Sequence, residues 1–574
     1  MLCAEKYATK GIALNCIDWK STLAAALAAL YASHSFAQAR AVGNAAEVLP
    51  PVASPRSAQN VTVHVESAAP PTVHDLLAHK ITPLAFKVEG VKSVPFAQVA
   101  AQFEPFVGKN ITVGQLIEAA NSVTRLYKDR GYALSFCFVP PQSFEKGIVR
   151  VTVVEGYVAT VKITGNPGRS ERHIREIAAH IVNDRPLRRE VFERYVNVLG
   201  LLPDTRVSAS VAPPQMTDGA TELVLDVKQK HVNFASGIAA NQPGIQALLS
   251  VTESGLTPFD ERLAVSALVP PGRNHQSYYA ASGSVPIGSD GLSARADLSR
   301  YRAEPANNPG LPSFVHRDIA QDKAGISATY PLQLSNERSI TMTVNGYGTA
   351  NLDRFRNIYT GAMIEQKSAI RALQLQLDYA SNHNNQVRKA SLNLAKAFNV
   401  LGAYRAGDSN IPGTIVTNPV SLTFMRSGAS FMQANDWPSG IGTSVSLTGQ
   451  YSASTLPTSE RVSFGAQRFA LGYEPGEAAG DSGWGVTAEL NYPLRLQAAY
   501  LKAVVPYIAW DTAKVFLHNS PPQARLSSVA AGIRLTDRRL YSLDMSLAKA
   551  VGAAPIESPS RAPRLNLNFS YQFD

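Results

Sequence analysis

Residues 564–573 read Arg-Leu-Asn-Leu-Asn-Phe-Ser-Tyr-Gln-Phe, and this stretch decides the fold. Successive side chains of an extended chain point to opposite faces. The apolar side chains therefore share one face: Leu565, Leu567, Phe569, Tyr571 and Phe573. The other face carries the polar side chains Asn566, Asn568, Ser570 and Gln572. The pattern predicts a β-strand with one side against an apolar environment and the other against water.

The same alternation recurs upstream. It covers residues 292–299, where Leu, Ala, Ala and Leu alternate with Ser, Arg, Asp and Ser, and residues 373–379, where Leu and Tyr alternate with Gln and Asp. Lipid leaves no backbone polar group unpaired, and closing a sheet removes its edges, so many such segments separated by turns are typical of a membrane β-barrel. A soluble antiparallel sheet has the same period, and the alternation alone leaves both structures open.

Composition narrows the class of protein. The 574 residues predict two to four domains. Charged residues make up 17% against a usual value of about a quarter, so the polar residues are largely neutral, as suits strands that line a lumen. The net charge is +10, but the basic residues are scattered singly and form no basic stretch interleaved with aromatics. This distribution argues against nucleic-acid binding. After the leader, the sequence contains no run of about 18 apolar residues, so no membrane helix is predicted.

The N-terminus predicts an export signal. Three lysines precede the apolar run at residues 23–31, and Ala37-Gln38-Ala39 supplies the small residues of a cleavage site. We therefore interpret residues 1–39 as a signal peptide, with an Ala-rich amphipathic helix as the alternative. Cys3 and Cys16 fall in this leader and only Cys137 follows it, so no intrachain disulfide is expected. Residues 40–80 are rich in proline and predict a linker.

Residues 81–230 have a different pattern, in which the unit strand, helix, helix, strand, strand occurs twice. The first copy, residues 81–157, predicts strands at 84–91, 133–139 and 148–155 and helices at 95–103 and from Thr112 to Gly131. The second copy, residues 158–230, predicts strands at 158–164, 207–212 and 221–228 and helices at 171–181 and 188–199. Two small α+β domains are expected.

These units resemble POTRA domains. The residues that carry the resemblance match the first POTRA domain of the two-partner secretion (TpsB) transporters: Tyr127, Gly131-Tyr132, Pro141-Gln142, Gly147, Glu155-Gly156 and Gly165-Asn166. Most of them are expected to build the fold. The resemblance implies that an extended client chain binds at the exposed strand edges and in the groove beside the helix, where it can add as a strand.

Residues 231–574 lack a long helical period, and turn clusters at 270–274 and 307–310 separate strand-like runs. The resemblance implies a transmembrane β-barrel of about 16 antiparallel strands, preceded by the two POTRA domains. Roughly 340 residues then leave about 21 for each strand and its connection, which fits strands of about ten residues with uneven loops. Periodicity alone does not fix this number.

One segment is similar to the late barrel strands and inward-folded loop of TpsB transporters. Its motif residues are Leu471, Gly472, Tyr473, Gly480, Asp481 and Gly483. The family tip usually reads Val-Arg-Gly-Tyr or Val-Arg-Gly-Phe, so Leu471 stands here in place of the arginine. Asp511 matches the aspartate of the barrel wall that the arginine is thought to contact. Arg468 is the candidate replacement partner, and a loop held in another way is the alternative; Lys514 should point to the opposite face of its strand.

Other motifs predict no catalysis and no cofactor. Gly480-Asp481-Ser482-Gly483 resembles the nucleophile segment of chymotrypsin-like proteases, but a histidine base and a second carboxylate in a double barrel are also needed. The eleven histidines are scattered without an H-E-x-x-H pattern, so no metal site is predicted. No phosphate-binding or dinucleotide fingerprint follows a strand. The chain is not expected to be an enzyme.

The resemblance implies an outer-membrane translocator with POTRA domains in the periplasm, which secretes a large haemolysin- or adhesin-like exoprotein. Its expected partners are that client, outer-membrane lipid, and the barrel-assembly machinery, which reads a terminal aromatic residue; here Phe573 precedes Asp574. Residues 40–48 either form a pore-plugging helix, as in relatives, or are disordered. The alternative functions are an assembly insertase, which usually has more POTRA domains, and a passive porin, which would not need residues 81–230.

Overall fold

The computed structural model describes residues 49–50, 61–65, 77–144, 146–240, 244–269, 275–305, 313–466, 469–518, 525–555 and 561–573. For residues 61–65 it describes the backbone only. The predicted signal peptide, residues 1–39, and the predicted plug helix, residues 40–48, lie outside this part of the chain.

The first periplasmic unit is a three-stranded sheet covered by helices. Its elements are β2 (Lys80–Ile81), β3 (Ala85–Glu89), α1 (Phe96–Ala100), a 3-10 turn (Glu104–Phe106), β4 (Ile111–Thr112), α2 (Val113–Asp129), β5 (Phe136–Phe138) and β6 (Ile148–Val154). The sheet order is β3-β6-β5, with β3 parallel and β5 antiparallel to β6. The strands β2 and β4 form a separate pair.

Helix α2 begins and ends where the sequence predicts. The Thr112 hydroxyl accepts a hydrogen bond from the Gln115 N–H, and the Gln115 side chain accepts one from the Thr112 N–H, which is a capping box. Gly131 follows the helix at φ +90°, a conformation that favours glycine. The buried residues of α2 recur at helical spacing and therefore share one face: Leu116, Ala119, Ala120, Val123 and Tyr127.

A carboxylate ties the end of β6 to the rest of this unit. Glu155 accepts hydrogen bonds from the backbone N–H groups of Lys92 and Ser93 at 2.8 and 2.7 Å, and from the Tyr127 hydroxyl at 2.8 Å. Burial by itself would raise the pKa of Glu155, but these hydrogen bonds outweigh it and hold the pKa below its ordinary value. The Glu-Gly element of the sequence pattern therefore has a structural role.

The variant Glu155→Ala should loosen this unit, because it leaves at least three donors without their acceptor. We expect the free energy of local unfolding to fall by about 1–3 kcal/mol. Since the pKa of Glu155 is lowered by folding, its stabilisation is present above the unfolded-state pKa and is lost as pH falls through the folded-state pKa. Hydrogen exchange of α2 in the full chain measures the effect. Unchanged exchange in Glu155→Ala would show that the carboxylate is dispensable.

The second unit repeats the order strand, helix, helix, strand, strand, lacks a counterpart of the small β2–β4 pair in its described residues and has one additional strand. It contains β7 (Tyr157–Asn166), a 3-10 turn (Gly168–Ser170), α3 (Glu171–Asn183), α4 (Arg189–Leu199), β8 (Thr205–Val211) and β9 (Ala220–Gln229). The additional strand, β1 (Val61–Val65), pairs in parallel with β8 and gives the order β1-β8-β9-β7. The stretch predicted as a linker thus contains a strand; its prolines flank Val61–Val65 and do not interrupt it.

The remaining strands close into one barrel in which β10 pairs with β29. The strands that lead to the inward loop are β10 (Val232–Ala240), β11 (Ile245–Ser254), β12 (Arg262–Val269), β13 (Ser277–Ile287), β14 (Leu292–Ala303), β15 (Val315–Leu334), β16 (Arg338–Asn357), β17 (Met363–His383), β18 (Gln386–Phe398), β19 (Tyr404–Ser409), β20 (Met425–Asp436) and β21 (Gly442–Tyr451). Inside the loop lie β22 (Val462–Phe464) and β23 (Ala478–Gly480). After it come β24 (Ser482–Asn491), β25 (Leu494–Arg495), β26 (Ala503–Phe516), β27 (Leu526–Thr536), β28 (Tyr541–Ala550) and β29 (Arg564–Phe573).

The barrel wall has sixteen antiparallel strand positions. Strands β18 and β19 both pair with β17 and together fill one position. Strands β24 and β25 both pair with β26 and together fill another. The number of strands implied by the family resemblance is therefore confirmed. The turns after β11, β13 and β15 contact the second periplasmic unit, so these turns mark the periplasmic end of the barrel.

Alternation along the strands sorts side chains between the two faces of the wall, as the sequence predicts. On β17, Leu373 is 50% exposed on the outer face. On the closing strand β29, Leu565 is exposed outward and Asn566 is 2% exposed on the lumen side. Strands β15 to β17 have 20, 20 and 21 residues, about twice the length that a membrane requires.

None of the helices in the described residues is long and apolar enough to cross a membrane.

Candidate functional site

The lumen contains a buried loop, described at residues 452–466 and 469–481, which connects β21 to β24. It enters from the end of the barrel opposite the periplasmic units, because β21 runs away from that end. Its short hairpin, β22 with β23, packs against the wall in a cluster with Tyr473, Ala513 and Val515. This inward loop is the candidate functional site.

Asp481 fixes the base of the inward loop. Its buried carboxylate accepts hydrogen bonds from the backbone N–H groups of Leu456 and His518, both at 2.8 Å, and from Arg461 Nε at 3.3 Å. The two ends of the loop and the extracellular segment at His518 are thus joined through one side chain. The hydrogen bonds to an ionised acceptor are of the stronger, charge-assisted kind.

Gly472 lies at the tip of the loop, in direct contact with the barrel wall. A Cβ at this position would lie 2.5 Å from the backbone N of Ala550 and 2.7 Å from the carbonyl carbon of Lys549. Both atoms belong to the backbone of β28 and cannot rotate away. The motif therefore needs glycine here because of close approach between two backbones.

Tyr473 and Glu474 extend this attachment. The Tyr473 ring is fully buried; its hydroxyl donates to the Ala553 carbonyl oxygen at 2.7 Å and accepts from the Ser527 N–H at 3.3 Å. The Glu474 carboxylate forms an ion pair with Arg564 of the closing strand, with N–O distances of 3.3 Å. The tip thus contacts both β27 and β29.

Asp511 receives the tip through backbone groups. Its buried carboxylate accepts hydrogen bonds from the Leu471 N–H at 3.1 Å and from the Ser528 hydroxyl at 2.5 Å, and also from the Ala470 N–H. The Leu471 side chain, which occupies the position of the family's arginine, packs against an apolar part of the wall: Tyr507, Ala509, Ala530 and Ala548. The loop is therefore held without a guanidinium at position 471.

The other candidates for a charge partner are Arg468 and Lys514. Arg468 lies outside the described residues, so its contact with Asp511 stays a prediction. The Lys514 ammonium lies over the Phe516 ring, 5.3 Å from its centroid. Among the described residues, Asp511 accepts hydrogen bonds from backbone amides and a hydroxyl.

The chain close to the tip has a strained backbone. Ala466, Phe469 and Ala470 have φ values of 45°, 58° and 58°, in the left-handed region that side chains rarely adopt. Such conformations persist only where surrounding contacts determine them, and they are common at functional sites. The hydrogen bond from the Ala466 N–H to the Ala470 carbonyl oxygen, 3.1 Å, is one of these contacts.

Sequence reasoning assigned no role to two further anchors. The buried Glu460 carboxylate accepts from the Tyr347 hydroxyl at 2.9 Å and pairs with Arg426 at 3.2 Å. The Asn566 amide of the closing strand donates to the Leu471 carbonyl oxygen at 2.9 Å. Glu460 was one of several charged residues in this loop, and no pattern in the sequence set it apart. Asn566 looked like any lumen-facing residue of its strand.

The second periplasmic unit is joined to the barrel by a polar interface. Asp290, in the turn after β13, accepts hydrogen bonds from Arg194, Tyr195 and Tyr330. His173 of α3 lies between two acceptors, with Nδ1 2.7 Å from an Asp260 carboxylate oxygen and Nε2 2.8 Å from the Gly288 carbonyl oxygen. Because both acceptors need a hydrogen from the ring, the protonated imidazolium satisfies both. The hydrogen bond to Asp260 raises the pKa of His173 above its ordinary value.

This geometry predicts a pH-dependent attachment between the second unit and the barrel. Because the folded-state pKa of His173 is raised, its stabilisation is fully present below the unfolded-state pKa, about 6.5, and is lost as pH rises through the folded-state value. Hydrogen exchange of α3 in the full chain should therefore speed up as pH rises above about 6.5, after correction for intrinsic exchange. His173→Ala should exchange faster throughout and lose this step. A step of the same size in His173→Ala would contradict the assignment.

Among the described residues, no group of three or more His, Cys, Asp or Glu side chains is arranged to hold a metal ion.

Comparison with known families gives two matches along the chain. The model described as "POTRA domain, ShlB-type" matches residues 82–156. The model described as "Haemolysin secretion/activation protein ShlB/FhaC/HecB" matches residues 256–535. The first range covers the unit of β3, β5 and β6, and the second covers most of the barrel, including the inward loop.

Relatives and solved structures agree with these matches. The heme/hemopexin transporter protein HuxB of Haemophilus influenzae is 18% identical over 469 residues, 79% of this chain and 80% of the relative. The outer membrane transporter CdiB of Dickeya dadantii is 22% identical over 443 residues, 74% and 75% of the two chains. The structure of CdiB from Escherichia coli has a TM-score of 0.65 at 17% identity, and the match covers 88% of this chain and 93% of that chain.

Proposed function

Because the chain belongs to the haemolysin secretion/activation proteins, the transporters of two-partner secretion, we propose that it captures a large partner exoprotein in the periplasm and passes it outward through its barrel. The protein is an outer-membrane translocator. The observation that carries the proposal is the attachment of the inward loop: the tip of the loop is bound to β26, β27, β28 and β29 inside a closed barrel that is joined to two periplasmic α+β units.

The first periplasmic unit offers a surface for an extended client. Strands β3 and β5 are the edges of its sheet, so each has one side on which another strand can add. Leu84, directly before β3, is 66% exposed, and Ile148, at the start of β6, is also exposed beside it. We propose that backbone hydrogen bonds to an edge strand hold the client and that these apolar side chains add contact.

This surface can be tested in the full chain. The double variant Leu84→Glu/Ile148→Glu should weaken binding of the client's N-terminal region about tenfold or more, because two charges would face the apolar side chains of the client. The matched control is Met216→Glu in the second unit, since Met216 is 65% exposed and is equally apolar. Equal affinity in the double variant and the control would remove the patch from the binding site.

The two periplasmic units argue against a passive porin, because a permanently open pore would not need residues 81–230. The inward loop is bound to the wall at separate points through Asp481, Asp511 and Glu474. These attachments suit a translocator, because they hold the loop against one part of the wall, away from the path of an entering client. Transport in this proposal does not use nucleotide hydrolysis. Folding of the client outside the cell would prevent its return through the barrel.

An insertase shares the barrel architecture, and secretion separates it from a translocator. If this chain inserts other membrane proteins, its removal should deplete those proteins from the outer membrane and leave the partner exoprotein secreted. If it is a translocator, the reverse is expected. The chain's own insertion should depend on the barrel-assembly machinery, which would read the closing strand that ends at Phe573.

A further inference from the structure

The outer face of the barrel has an apolar groove across β17, β18, β20 and β21. Its volume is about 540 Å³. The side chains that line it include Leu375, Leu377, Leu392, Leu394, Ala429 and Tyr451. Ala429 pairs with Gly449 on the neighbouring strand, and these two small residues create the depression between the leucines. Since this face of the wall contacts lipid, the groove suits an acyl chain.

Two cations lie on the same face at the extracellular end of the groove. Arg371 is on the face of Leu373 and Leu375, because odd-numbered residues of β17 point outward there, and Lys396 is on the face of Leu394. Lys396 pairs directly with Leu373, so Arg371 and Lys396 are diagonal neighbours about 7–8 Å apart on adjacent strands. The outward apolar run from Leu373 to Tyr379 extends about 20 Å towards the periplasm.

The Arg371 side chain lies along the wall over a glycine. A Cβ at Gly348 would lie 3.2 Å from Arg371 Cδ and 3.3 Å from its Nη1, and Nη1 donates to the Ile370 carbonyl oxygen at 2.8 Å. Lys396 Nζ donates to the Thr423 carbonyl oxygen at 3.1 Å. These contacts fix the position of both cations and leave further donors on each of them.

Both cations lack a carboxylate partner within the described part of the chain. The arginines of β14 differ in this respect. Arg300 and Arg302 both bind the Asp322 carboxylate, at distances of 2.9 to 3.0 Å. Arg371 and Lys396 thus present positive charge without a carboxylate partner among the described residues, on the outer face at the extracellular end of the groove.

We propose that the groove and this cation pair bind one phosphorylated glycolipid of the outer leaflet, with an acyl chain along the leucines and a phosphate between Arg371 and Lys396. Guanidinium and phosphate form charge-assisted, often bidentate hydrogen bonds. The extracellular position of the pair selects the outer leaflet, whose main component carries phosphates on a sugar backbone. This site is on the opposite face of the wall from the inward loop, and it does not depend on the identity of the client.

Native mass spectrometry of the detergent-purified full chain, titrated with bis-phosphorylated lipid A, tests the site. Wild type should bind one molecule, and Arg371→Gln/Lys396→Gln should bind at least tenfold more weakly. The matched control is Arg300→Gln/Lys514→Gln, which removes the same charge from other strands and leaves Asp322 paired with Arg302; it should stay within twofold of wild type. Lipid A without phosphates should bind wild type at least tenfold more weakly.

Equal affinity of the double variant and wild type would overturn the cation site. Tighter binding of phosphatidylglycerol than of lipid A would overturn the choice of a glycolipid. The variant Ala429→Phe keeps both cations and fills the groove, so it should also bind at least tenfold more weakly, and unchanged affinity would overturn the acyl-chain site. Heat-modified gel mobility establishes that each variant is a folded barrel before titration.

Discussion

Replacing Gly472 by alanine is expected to reduce secretion of the partner exoprotein at least tenfold. The new Cβ would lie 2.5 Å from the backbone N of Ala550, a distance that Cβ atoms do not occupy, so the tip of the loop must leave the wall. Its departure would also break the hydrogen bonds of Tyr473 to Ala553 and Ser527. The measurement is the amount of exoprotein in the medium, normalised to the amount of barrel in the outer membrane.

Gly449→Ala is the matched control for this variant. A Cβ at Gly449 would meet its nearest atom, the Gly483 carbonyl oxygen, at 3.9 Å, which is an ordinary contact. The control should secrete within twofold of wild type, although it changes a glycine of the strand that leads into the loop. Normal secretion by Gly472→Ala would show that the tip does not need to touch β28.

The second large effect is expected at Asp511. Asp511→Ala leaves the Leu471 and Ala470 N–H groups and the Ser528 hydroxyl without their acceptor inside the barrel. Each unsatisfied buried donor costs about 1–3 kcal/mol, so the loop should detach from the wall and secretion should fall at least tenfold. Asp511→Asn keeps one carbonyl oxygen as an acceptor, so its secretion should lie between that of Asp511→Ala and that of wild type.

Ser528→Ala separates the loop contacts of Asp511 from its contact within the wall. This variant removes one donor to the carboxylate and leaves the bonds from the tip, so its effect should be clearly smaller than that of Asp511→Ala. Protease accessibility of the loop from outside the cell reports detachment directly. Equal secretion by Asp511→Ala and wild type would mean that the loop is held by its other anchors alone.

The barrel and the two α+β units could be predicted because local patterns determine them. Alternation in residues 564–573 and 373–379 reflects a wall with lipid on one side, and the Thr112 cap with Gly131 defines α2 through local hydrogen bonds and φ alone. Strand β1 was not predicted. Its five residues lie within a proline-rich stretch and have no neighbouring strand nearby in the sequence. They form a strand only by pairing with the distant β8.

The attachment of the inward loop could be predicted only in part. The motif located Gly472 and Asp511 but led us to seek a cation for the carboxylate. The structure supplies backbone N–H groups, which every residue has and which no sequence pattern reveals. The pairing of Glu474 with Arg564 was missed for a similar reason, since 90 residues separate the partners and only barrel closure brings them together.

The central claim is that this chain carries a partner exoprotein across the outer membrane. The most direct test is secretion of the large exoprotein encoded beside this gene, compared between wild-type cells, cells without the gene, and cells whose copy lacks residues 82–156. We expect exoprotein in the medium only with the intact chain, while the shortened chain still inserts as a barrel. Undiminished secretion from cells without the gene would contradict the claim.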